Sequence, residues 1–62
     1  MEVITNNERE WMLKVIANTT KEVYLMKDQQ CLEWLYAKYE SNWVSKAEME
    51  VDLKWINGFL KG

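Results

Sequence analysis

Apolar residues return along this chain every three or four positions, the period of helices that each bury one face. Trp11, Met12, Val15 and Ile16 mark the first such face, between Asn6 and Asn18. A longer stripe, made by Tyr24, Leu25, Cys31, Leu32, Leu35, Tyr36 and Tyr39, lies between Thr20 and Ser41. The last segment, Lys46 to Leu60, has two seams: Ala47, Val51 and Trp55 on one, Met49, Leu53, Ile56 and Leu60 on the other, with Phe59 between them.

The starts of these segments carry a common signature. Thr5 and Glu8, Thr19 and Glu22, and Ser45 and Glu48 each place a hydroxyl three residues before a glutamate. In that spacing the two side chains satisfy backbone N–H groups that a first helical turn leaves unpaired. The pattern predicts an all-α fold, a small antiparallel three-helix bundle with helices near 6–18, 20–41 and 46–60, forming one domain over 1–62. Turns fall around Thr19 and over Asn42 to Ser45. Asp28 is a good N-cap, so a break of the second helix there is an alternative. A short strand over Glu22 to Met26 is another, because β-branched and aromatic residues occur in it. Gly58 either admits a neighbouring backbone near the first seam or ends the third helix. Exposed pairs at i, i+4, Glu10 with Lys14 and Glu50 with Lys54, are expected to support the outer faces.

Composition narrows the chemistry. A chain of 62 residues has a thin core, and small domains of this kind lean on disulfides, metals, association or dense packing. Cys31 is the sole cysteine and histidine is absent, so neither an internal disulfide nor a Cys/His zinc site is expected, and no cofactor is implied. Four tryptophans, three tyrosines and one phenylalanine supply the large rings that make such a core sufficient. Trp11, on the only apolar face of its helix, is expected to be buried. Cys31, with no histidine to activate it, reads as a small core residue.

No glycine-rich phosphate loop and no Ser/His or Cys/His arrangement is present, so the chain reads as no enzyme, with no small-molecule substrate. Glu48 and Asp52, one turn apart, read as solvated carboxylates near a helix start. Charges are mixed and the net charge is −2, which argues against nucleic acid. Laid over a helix-turn-helix, Lys46, Lys54 and Lys61 would be offset by Glu48, Glu50 and Asp52. The stretch from Leu53 to Lys61 has the aromatic and lysine content of an interfacial membrane helix but lacks a strongly basic face. Asn18-Thr19-Thr20 matches the glycosylation pattern by chance, and with no signal segment at the start the expected location is cytoplasmic.

What remains is surplus apolar surface. Beside its main stripe the second helix carries Val23, Met26, Trp34 and Ala37, and the third has two seams where a bundle needs one. Contiguous exposed apolar surface marks association sites, and tryptophan is enriched at their centres. The expected function is a small non-enzymatic protein–protein interaction module, an inhibitor, adaptor or regulator that docks an aromatic-rich helical face onto a protein partner. Trp34 and Trp55 are the expected anchors, with Val23, Met26, Ile56 and Phe59 beside them. The alternatives are a structural protein whose partner is a second copy of itself, and an atypically acidic nucleic-acid-binding domain.

Overall fold

A computed structural model of the chain describes residues 2–23, 26–41 and 44–61. Three helices follow one another: α1 (Asn6–Glu22), α2 (Met26–Ser41) and α3 (Lys46–Lys61). They form a small all-α bundle in which α1 packs against both α2 and α3. Tyr24, Leu25 and Asn42, which the sequence places in the second stripe and the following turn, lie outside the described residues.

Two of the expected caps are present. The Glu8 N–H donates to Thr5 Oγ1 at 3.1 Å while the Thr5 N–H donates to Glu8 Oε1 at 3.0 Å, the reciprocal box that starts α1. This backbone bond, with help from Lys46, holds the Glu8 carboxyl below the usual carboxylate range. At α3 the Glu48 N–H donates to Ser45 Oγ at 3.2 Å, but the Glu48 carboxylate turns to Lys38 instead.

The third expected cap is not one. Thr19 and Thr20 donate their hydroxyls to the carbonyls of Val15 and Ile16, both at 2.8 Å, so they bond back into the helix instead of starting a new one. α1 therefore runs four residues beyond Asn18, to Glu22, and Val23 closes it in an extended conformation. The second helix begins at Met26, not Thr20, and Asp28 sits inside its first turn instead of breaking it. Val23 takes the extended angles that the strand alternative foresaw, yet the described residues on either side are helical.

The core is drawn from one stripe per helix. α1 contributes Met12, Ile16 and Thr19; α2 contributes Leu32, Leu35 and Tyr39; α3 contributes Met49 and Ile56. Each fully buried aliphatic side chain here contributes roughly 1.5–3 kcal/mol relative to an exposed one. Ile4 and Val44, outside the helices, complete the cluster. They are held by a short antiparallel clasp in which the Ile4 N–H donates to the Val44 carbonyl and the Lys46 N–H to the Glu2 carbonyl, both at 3.2 Å. The second bond satisfies a donor that the start of α3 would otherwise leave unpaired. With an ion pair from Lys46 to Glu8 at 3.3 Å, the clasp fixes the starts of α1 and α3 at the same end of the bundle.

Trp11 is not core: it is 51% exposed. The buried stripe of α1 is spaced i, i+4, i+7 from Met12, and Trp11 falls on its flank beside the half-buried Val15. Tyr36 and Leu60 also face outward. Gly58 neither ends α3 nor admits a neighbour, since the helix continues to Lys61 and a Cβ there would meet nothing within 4 Å. Nor do Glu10 and Lys14 or Glu50 and Lys54 pair; the ion pairs among the described residues cross between helices or join α3 to α1. No helix among the described residues is long and apolar enough to cross a membrane.

These placements predict that Ile16→Ala costs about 2–5 kcal/mol, enough to unfold so small a domain, whereas Trp11→Ala leaves a folded protein. Urea titrations followed by circular dichroism check both, and equal losses would contradict the stripe described above. Gly58→Ala should stabilise α3 by about 0.5–1 kcal/mol, read in the same titration; a loss of stability would mean that Gly58 is in close contact after all.

Candidate docking groove between α2 and α3

α2 and α3 each carry a stripe that α1 does not cover. On α2 it passes through Lys27, Cys31, Trp34 and Lys38, at spacings of three and four; on α3 it passes through Glu48, Val51, Asp52 and Trp55. Among the described residues no Cα pair links the two helices within 8 Å. Between them lies an open groove of about 450 Å³, lined chiefly by Cys31, Trp34, Leu35, Val51 and Trp55, with Lys27 and Asp52 among its polar atoms. Its volume falls in the range of ligand and side-chain docking clefts.

One end of the groove is tied shut. The Tyr39 hydroxyl donates to Asp52 Oδ2 at 2.7 Å, and Lys38 Nζ donates to the same oxygen at 3.1 Å. Lys38 also pairs with Glu48 at 3.3 Å. A buried tyrosine ring has to place its hydroxyl against a partner, and Asp52 is the partner that α3 brings. Burial and the hydrogen bond to Asp52 together push the Tyr39 phenol far above the ordinary tyrosine range. Burial alone would lower Lys38, but its bonds to Asp52 and Glu48 outweigh that and leave it above its ordinary value. Asp52 is thus a largely buried member of an interhelical cluster, not the solvated carboxylate that its spacing suggested, whereas Glu48 pairs with Lys38 and still keeps most of its side chain in solvent.

Lys38 also shapes the groove wall. Its ammonium lies 5.5 Å from the centre of the Trp34 ring and 5.7 Å from that of Tyr39, within the reach of a cation–π contact. On the opposite wall Phe59 meets Trp55 edge to face, with ring centres 4.3 Å apart. Both tryptophans are therefore braced while remaining open to solvent, Trp34 at 65% and Trp55 at 41% exposure.

The expected contact residues divide. Trp34 and Trp55 line the groove, and Met26 stands exposed one turn before Gln30, itself a lining residue. Phe59 is half-buried and braces Trp55. Ile56 is fully buried and Val23 packs against the core, so neither lines the groove. Ile56 belongs to the buried seam of α3, and Trp55, about 100° round the helix, to the exposed one. Cys31 is half-buried in the groove lining and not in the core. Sequence reasoning missed the tie itself. Its one readable sign was a tyrosine in the middle of an apolar stripe, whose hydroxyl needs an acceptor.

No protein-family model matches this chain, and neither the curated proteins nor the solved structures give a match to it.

Tyr39 and Lys38 both bind their protons more tightly in the folded chain than their ordinary values of 10.0 and 10.5. Their contribution to stability is therefore complete below about pH 10 and is lost as pH rises beyond it. Tyr39→Phe should cost about 1.5–3 kcal/mol at pH 7, the range for a hydrogen bond to a charged group, and should flatten the alkaline decline. Denaturation at about pH 7 and pH 11, on either side of that range, checks this; parallel declines in the two proteins would contradict it.

Proposed function

We propose that this chain is a small non-enzymatic protein-interaction module, an inhibitor, adaptor or regulator, which docks the groove between α2 and α3 onto an apolar segment of a protein. The observation that carries the reading is that two braced, solvent-exposed tryptophans face a gap which the chain's own helices do not fill. Apolar rings that are fixed before binding lose little entropy on contact, and tryptophan is the residue most enriched where truncation weakens interfaces. A helix presenting apolar residues at i, i+3, i+4 and i+7 has the shape to lie in such a groove. The action is steric: the module covers an apolar surface of the partner, or holds it in place. A reducing compartment, the cytoplasm, suits a groove with a free thiol at Cys31 in its wall.

The lysines of α3 do not favour a nucleic-acid role. Lys46 is paired with Glu8, and Glu48, Glu50 and Asp52 stand on the same helix as Lys54 and Lys61. The membrane reading of Leu53 to Lys61 is weakened because Ile56 is buried and Leu53 packs against the core.

Trp34→Ala, which removes a mostly exposed side chain, should leave the fold intact and weaken partner capture by about 30-fold, the effect of losing a ~2 kcal/mol hot spot. Affinity capture from the native host, comparing wild type with Trp34→Ala and with Ala47→Glu outside the groove, checks this. A partner retained by wild type and Ala47→Glu but lost with Trp34→Ala is the expected result; identical captures by all three would contradict the reading.

A further inference from the structure

The groove has a property that narrows its occupant. Its two ends differ in charge. At the tied end Lys38 meets Glu48 and Asp52, one cation against two carboxylates, which leaves that end negative. At the other end Lys27 lines the groove, with no carboxylate within ion-pair distance among the described residues. Glu48 keeps more than half of its side chain in solvent, at 57%, so its contact with Lys38 does not hide it from a partner. A two-fold rotation across the groove would bring the Lys27 end of one copy over the Glu48 end of another, twice over.

Surface area points the same way. Trp34, Val51 and Trp55 alone present on the order of 350 Å² of apolar side chain. Two such faces, with Met26, Lys27, Gln30 and Glu48 around them, remove roughly 1,000 Å² on meeting, the level at which specific interfaces begin. The chain has no disulfide with which to stabilise itself otherwise, and small domains commonly use association for that purpose.

We propose that the occupant of the groove is a second copy of this chain, in an antiparallel two-fold dimer in which Lys27 of each copy meets Glu48 of the other and each Trp34 enters the partner's groove. This rests on the reading of the groove as a docking site and names its partner. The interface is isologous, so every contact occurs twice, and its area lies at the low end of specific interfaces, where reversible association is found.

Sedimentation equilibrium of the 62-residue chain over a dilution series tests it, with wild type, Lys27→Glu, Glu48→Lys, an equimolar mixture of those two variants, and Trp34→Ala. Circular dichroism confirms that each variant is folded. Wild type should pass reversibly from dimer to monomer. Each charge reversal creates like-charge contacts at both symmetry-related sites and should weaken the dimer about tenfold. The mixture should recover nearly wild-type affinity. In the hybrid dimer one junction sets the two introduced side chains against each other, again a carboxylate against an ammonium, and the other keeps the native Lys27 with the native Glu48. Trp34→Ala removes the ring from both copies, so two losses of about 30-fold combine and self-association should weaken about 1,000-fold. Should Glu48→Lys fail to fold, salt decides the matter: added salt should strengthen the Lys27→Glu dimer and weaken the wild-type one.

A wild-type monomer at every concentration overturns the dimer, and so does a mixture no tighter than its components. If such a monomer still captures another protein in a Trp34-dependent way, the docking reading stands without self-association. A dimer indifferent to all three substitutions places self-association on another face and overturns this proposal.

Discussion

The bond from Tyr39 to Asp52 sets the geometry on which the rest depends. Among the described residues no Cα pair links α2 and α3 within 8 Å, and α1, which packs against both, brings Met12 and Ile16 into the core that all three helices share. Tyr39 is fully buried, so its hydroxyl has to find an acceptor or lose hydration without compensation. Asp52 supplies it and is itself balanced by Lys38. The tie draws together the end of α2 and the first half of α3, because that is where the polar atoms are. Further along, α2 offers Trp34 and Cys31 and α3 offers Val51 and Trp55. These have no polar reason to meet, and no third apolar element among the described residues covers them. The groove is the space left by a bundle that is pinned at one end.

That arrangement places stability and exposure in tension. A chain of this length has little apolar surface to spare, yet large side chains stand in solvent on α2 and α3 while the core is completed by Ile4 and Val44 from outside the helices. The bracing of Trp34 by Lys38 and of Trp55 by Phe59 orients the exposed rings without burying them. Side chains held in this way have less freedom to lose on contact.

Helix number, the third helix, the Thr5 and Ser45 caps and most of the buried positions were legible, because they follow from local chemistry and a single period. The errors arose where one residue type serves two local purposes. Thr19 and Thr20 are as fit to bond backward to a carbonyl as forward to a helix start, and only the continuing helix decides between them. Trp11 stands next to Met12 in sequence, but about 100° of rotation separates core from flank, and a stripe two residues wide does not say which edge lies deeper. Ile56 and Trp55 pose the same problem on α3, where the buried seam is chosen by packing. The link from Lys38 and Tyr39 to Asp52 spans 14 and 13 positions and has no local signature beyond the buried tyrosine. The clasp of Ile4 against Val44 likewise joins segments far apart in the chain.

The claim at the centre of this account is that Trp34 and Trp55 are open in the single chain and closed when the groove is filled. Fluorine NMR of protein carrying 5-fluorotryptophan, with a soluble paramagnetic agent, reads each ring separately once its signal is assigned by substitution. At high dilution Trp34 and Trp55 should both be broadened by the agent, and both should become protected as concentration rises while Trp11 remains broadened throughout. Protection of Trp34 and Trp55 at the lowest concentrations would show a groove closed within one chain, and would contradict that claim.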